Sequence, residues 1–150
     1  MARQTGDAFE LKPHHVAINV ADIDASVAWF RDILGFKVTN RDFIPTSPAR
    51  NALMKKGDFY LELFQHEKIL PRPVEPNSSH AGPETIGFRQ IAFTVSDPRK
   101  LTEILKKKGV EITRERPDGT VQFIRDNSGN VLEFMPPDWL PPSRGSVSPG

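Results

Sequence analysis

Apolar positions recur along this chain with two different periods, and the order of the periods repeats. Residues 14–20, HHVAINV, set Val16, Ile18 and Val20 against His15, Ala17 and Asn19, the period of two expected of a strand with one apolar face. Asp22 and Asp24 then offer caps for a helix in which Val27, Phe30 and Leu34 return at helical spacing, with Gly35 as its stop. A strand is predicted at Phe36 to Val38. Two more follow around Ala52 to Met54 and at Phe59 to Phe64, separated by the turn residues Lys56, Gly57 and Asp58. From Gln65 to Gly87 the periodicity lapses into Pro71, Pro73, Pro76 and Pro83 with Asn77, Ser78 and Ser79. This predicts a linker without regular elements that is mobile in the absence of a ligand.

Arg89 to Val95 restarts the alternation. Asp97 and Pro98 form an N-cap and first-turn pair for a helix carrying Leu101, Ile104 and Leu105 as far as Gly109. Strands are predicted at Val110 to Thr113, Thr120 to Arg125 and Asn130 to Met135, and the proline-rich tail beyond is expected to be loop or disordered. The two halves align without gaps where they matter. HVAINVAD at His15 to Asp22 matches QIAFTVSD at Gln90 to Asp97, and YLELF at Tyr60 to Phe64 matches VLEFM at Val131 to Met135. An internal repeat of this kind predicts an α+β fold of two tandem βαβββ modules, since each half alone would leave one sheet face bare. The expected boundaries are a tail at 1–11, module one at 12–64, a linker at 65–87, module two at 88–136 and a tail at 137–150.

Composition narrows the function classes. A chain of 150 residues fits one ordinary domain or two small modules, and its net charge of +1 is spread too evenly to form the basic stripe that nucleic acid requires. No apolar run is long enough to cross a bilayer, and the polar start MARQTGDAFE has no apolar signal-peptide core, so a cytoplasmic location is expected. The absence of cysteine excludes disulfides, thiolate metal sites and a cysteine nucleophile.

Four donor-bearing residues interrupt the apolar strands at matched places of the repeat: His15 and Gln90 in the first strands, Glu62 and Glu133 in the last. Parity puts all four on the face opposite Val16, Ile18, Leu61, Leu63, Ile91, Phe93, Leu132 and Phe134, the set that packs against helices. The same parity assigns His14 to the helix side or its edge. Singly, each donor has an ordinary structural reading as a surface, capping or solvated residue, so the coincidence of all four carries the argument. Two carboxylates on one sheet face need a compensating charge, which one divalent metal ion would supply. One imidazole nitrogen and three oxygens with positions left open suit Ni, Co, Zn, Mn or Fe better than a closed structural zinc site. Other signals are weak: Gly119 and Gly129 read as turns, no serine sits in a nucleophile elbow, and His66 and His80 read as solvated loop residues.

The phrases HHVAINVADIDASVAWFRDILGFKV, FYLELF, GFRQIAFTVSD and DNSGNVLEF resemble the strand and helix signatures of the vicinal oxygen chelate superfamily, over residues 12 to 136. That superfamily groups glyoxalase I with bleomycin-resistance proteins, fosfomycin-resistance thiol transferases, extradiol dioxygenases and methylmalonyl-CoA epimerase. The resemblance is nearest to small glyoxalase-I-like proteins. It implies metal ligands at His15, Glu62, Gln90 and Glu133, with Gln90 standing where bacterial members more often have a second His. It further implies a metal-dependent lyase or isomerase moving a proton beside a carbonyl or hydroxyl of a small-molecule substrate. In that chemistry Glu133 is the mobile catalytic base and Glu62 its counterpart. Asn19 stands where glyoxalase I has an Arg that holds glutathione, so glutathione does not follow from the resemblance. Dioxygenases and fosfomycin-type thiol transferases use two His, and this chain offers one ligand-grade His. A drug-binding resistance protein would keep the fold without the metal. Paired modules of this kind complete a site within one chain or across a homodimer.

Overall fold

The computed structural model describes residues 12–71 and 87–139. Most of the linker and nearly all of the C-terminal tail, whose mobility and disorder the sequence leads one to expect, lie outside the described residues, as does His80. The chain divides after Ile69 into two compact units, each built on its own four-stranded mixed sheet.

In the first unit the order is β1 (His15–Asn19), α1 (Ile23–Leu34), β2 (Lys37–Ile44), β3 (Ala49–Lys56) and β4 (Phe59–His66). Helix α1 begins where expected: the Asp22 carboxylate accepts from the Ala25 N–H at 2.9 Å. It ends at Gly35, whose φ of 74° suits only a residue without a Cβ. Ile23, Val27, Phe30 and Leu34 form its buried stripe, and Met54, Leu61 and Leu63 of the sheet are fully buried. Strand order is β1-β4-β3-β2, with β1 parallel to β4 and the other pairs antiparallel.

Two expectations are corrected here. The strand predicted at Phe36 to Val38 runs on to Ile44, because a register shift between Val38 and Asn40 lets pairing with β3 continue. Strand β4 runs through Gln65 and His66, so these residues belong to the sheet. Gln65 Oε1 accepts from the Ile23 N–H at 2.9 Å, and the His66 ring stacks on Phe64.

The second unit repeats the order: β5 (Ile91–Thr94), α2 (Pro98–Lys107), β6 (Arg114–Glu115), β7 (Gln122–Arg125) and β8 (Val131–Met135), with strand order β5-β8-β7-β6. The Asp97 carboxylate caps α2 by accepting from the Lys100 N–H at 2.9 Å. Its buried contacts are Leu105 and Thr102, while Ile104, expected on the apolar stripe, is 39% exposed. Thr102 tolerates burial because its hydroxyl donates to the Pro98 carbonyl at 3.1 Å, one turn back. The strand predicted at Val110 to Thr113 is not formed. The Val110 N–H is used by the helix end, donating to the Leu105 carbonyl at 2.9 Å, and ladder pairing starts only at Arg114.

The repeat therefore holds at the level of register. Ala17 is the Cα partner of Glu62 across the parallel pair β1/β4, and Ala92 is the partner of Glu133 across β5/β8. In the first unit the remaining donor, His15, lies two residues before that alanine in β1 and so on the same face; in the second, Gln90 directly precedes β5, and its hydrogen bond to Glu133 places it there.

Candidate functional site

Each unit brings one donor pair together. In the first, His15 Nε2 lies 3.3 Å from Glu62 Oε2, while the other Glu62 oxygen accepts from Asn51 Nδ2 at 2.8 Å. Asn51 reaches this carboxylate because it lies two residues from Leu53, the β3 partner of Glu62, on the same face. The hydrogen bond fixes the Asn51 amide, since its other end would set two oxygens against each other. His15 keeps 39% of its side chain exposed and Glu62 18%, so the pair is reachable from solvent.

His14 departs from expectation. Parity assigned it to the helix side or its edge, but β1 begins only at His15, so strand alternation does not bind His14. Its ring stacks on Tyr60 at 5.7 Å and 5°, and its Nδ1 lies 2.8 Å from His15 Nδ1. Tyr60 is the Cα partner of His15, which puts both on the donor face.

In the second unit Gln90 Nε2 donates to Glu133 Oε2, and Gln90 Oε1 is buried with no hydrogen-bond partner. Glu133 itself is buried, at 8% exposure. Its β7 partner is Phe123, and Val121, Phe123 and Val131 form an apolar cluster with Met135 and Trp139 packed against it. Extending the ladder by one residue puts Val121 across from Met135, the place that Asn51 takes across from Phe64 in the first unit. The first carboxylate thus has an amide donor where the second has a valine. Burial accordingly pushes the Glu133 carboxyl above its ordinary value, opposed by the Gln90 hydrogen bond and the Arg89 charge.

The raised value has a testable sign. Above the ordinary value of 4.5 the folded chain still holds a proton on Glu133 that the unfolded chain has lost. Stability from this group therefore falls as pH rises through the interval up to the folded value. In metal-free protein Glu133→Gln should melt higher than wild type at neutral pH. The difference should vanish well below the ordinary value, and a pH-independent difference in melting temperature would contradict it.

Sequence reasoning singled out the four donor-bearing residues, which the structure brings together in two pairs, but missed Asn51, the placing of His14, and the apolar surround of Glu133. Asn51 was within reach of the parity argument once β3 was extended. The surround was not, because Phe123, Val131 and Met135 read equally well as core positions. Among the described residues no three His, Cys, Asp or Glu side chains are arranged to hold a metal ion on their own: His14 contacts His15 and His15 contacts Glu62, but Glu133 has only an amide beside it. The donor chemistry nevertheless fits a cation. A buried amide oxygen without a partner, a desolvated carboxylate and an accessible imidazole–carboxylate pair are groups that lack the positive charge they would best accept.

The glyoxalase/bleomycin resistance protein/dioxygenase family model matches residues 12–134, nearly all of the described chain. The chain belongs to that superfamily. The superfamily match takes in both donor pairs. Among relatives, the uncharacterized protein YwkD of Bacillus subtilis is 32% identical over 129 residues, covering 85% of this chain and 91% of its own. Lactoylglutathione lyase GLX1 of Arabidopsis thaliana is 27% identical over 130 residues, or 81% of this chain, which spans 42% of the plant protein. A glyoxalase family protein from Enterococcus faecalis superposes with a TM-score of 0.70 at 28% identity, covering 83% of this chain and 96% of its own. Among the described residues no helix is long and apolar enough to cross a membrane.

Proposed function

We propose that this protein is a metal-dependent lyase or isomerase of the glyoxalase I kind, which moves a proton beside the carbonyl or hydroxyl of a small oxygenated substrate. One observation carries the reading: two donor pairs, His15 with Glu62 and Gln90 with Glu133, stand at the same register of two copies of one sheet. Its likeness to a lactoylglutathione lyase supports the same chemistry.

In this reading His15, Glu62, Gln90 and Glu133 hold one divalent ion, Ni, Co, Zn, Mn or Fe. Such an ion supplies positive charge for the oxyanion that develops when the neighbouring carbon loses its proton. Glu133 Oε takes that proton and returns it to the adjacent carbon. Its apolar surround disfavours the charged carboxylate in the metal-free chain, so a proton taken there is held more readily than on an exposed glutamate. Glu62, held by Asn51 and His15, is in this reading the counterpart of Glu133. The Gln90 amide donates to Glu133 and steadies it between the two steps.

The test combines metal analysis with a screen of α-oxo aldehydes, with and without added thiols, in deuterated water. About one ion per chain and solvent deuterium at the product carbon are expected. Failure to take up any of the five metals at micromolar concentration would sink the reading and leave a metal-free binding protein. Turnover that requires molecular oxygen would transfer the case to a dioxygenase. Mixing inactive His15→Ala and Glu133→Ala chains tests the homodimer: activity returns only if the two pairs come from different copies.

A further inference from the structure

We propose that His14 is the positioning residue of His15, and that the two imidazoles exchange tautomers together when His15 takes a cation. The inference rests on the reading of His15 as a metal ligand and goes beyond it. It starts from the 2.8 Å contact between the two Nδ1 atoms. Two N–H groups cannot face each other at that distance and two lone pairs would repel, so one proton lies between them. The other end of His15 decides which ring owns it. Nε2 faces a Glu62 carboxylate oxygen at 3.3 Å, and a carboxylate only accepts, so Nε2 carries a hydrogen. In the neutral pair His15 Nδ1 is then bare, and His14 Nδ1 donates to it.

A cation needs the opposite arrangement, because it binds the lone pair of His15 Nε2. The protons balance by three moves. His15 Nε2 gives its proton to solvent, the shared proton crosses from His14 Nδ1 to His15 Nδ1, and His14 Nε2 takes one from solvent, to which its exposed ring is open. Each ring loses one proton and gains one. After the exchange His15 Nδ1–H donates to His14, which fixes the imidazole plane and strengthens the Nε2 lone pair, as outer partners of ligating histidines do.

His14 is built for this task. Its ring lies nearly parallel to that of Tyr60, 5.7 Å between centroids, and the Lys55 ammonium sits 5.0 Å from the same Tyr60 ring. The His14 and His15 rings meet edge to face at 84°. A ring held by stacking aims its nitrogen with little conformational freedom left to lose. A loose surface histidine would have none of these contacts.

Zinc is the probe, because it is diamagnetic and leaves the imidazole nitrogens visible to nitrogen-15 NMR. In wild type the metal-free protein should show His15 as the Nε2–H form and His14 as the Nδ1–H form, with both reversed on zinc loading. His14→Phe keeps a ring on Tyr60 but offers no acceptor, and should weaken zinc binding about 10- to 100-fold, measured by chelator competition. His14→Asn puts an acceptor near the Nδ1 position and should retain most of the affinity. Tautomers that do not change on loading would overturn the inference. So would unchanged affinity in His14→Phe while His15→Ala loses zinc, or equal losses in the Phe and Asn variants. Undiminished binding in His15→Ala is the separate result that would remove the ligand assignment itself.

Discussion

Glu133→Gln is expected to lower turnover about 100- to 10,000-fold while the protein stays folded and keeps much of its metal, the range that a general base typically contributes. Gln retains a carbonyl oxygen of similar reach, so it can still accept from Gln90 and still offer a neutral donor atom. It cannot take a proton from carbon at neutral pH. Binding and chemistry should therefore separate, with metal content near that of wild type and solvent deuterium no longer appearing in product. The environment of Glu133 makes it the better candidate base, because it is buried beside Phe123 with its carboxyl pushed upward, whereas Glu62 is more exposed and pairs with the His15 imidazole. A loss below roughly tenfold would move the base to Glu62.

If His15 and Glu62 hold the proposed ion, removing either should have the opposite profile. Glu62→Ala or His15→Ala is expected to weaken divalent-ion binding by more than the ~10- to 100-fold typical of outer-partner changes, since each deletes a donor atom outright. Glu62→Ala leaves two further groups without their partner, the Asn51 amide and the His15 Nε2–H. The His15 side chain is 39% exposed and can turn to solvent, while the partly buried Asn51 amide loses a partner, so the fold should persist with a modest fall in the melting temperature of metal-free protein. The check is a titration with zinc or nickel beside a thermal melt. A wild-type affinity in both variants would place the ion elsewhere.

The comparison of sequence with structure follows the physics of burial. Elements with one clearly apolar face were legible: α1 from Val27, Phe30 and Leu34, β4 from Leu61 and Leu63, β8 from Leu132 and Phe134. Strand β2 was read too short because nearly every residue in it is exposed at the edge of its sheet, so no apolar alternation marks it. Strand β6 was read too early because Val110 is apolar for a different reason, lying where the chain leaves α2. The donors were legible because polar groups interrupting an apolar strand stand out, and a repeat doubles the signal. Their neighbours were not: the difference between Asn51 and Val121 becomes meaningful only once the registers are known.

The shared register also limits how such a chain can change its length. Because successive strand residues face opposite ways, a single inserted or deleted residue within β1 or β8 would turn donors inward and core residues outward at one stroke. The turns at Gly57 and Gly119 carry no such constraint, since extra residues there leave the phase of both flanking strands intact. Descendants of this architecture are thus free to diversify by substitution on the donor face and by growth of loops. The spacing from His15 to Ala17, and from Gln90 to Ala92, is left as the part that lengthening or shortening cannot touch.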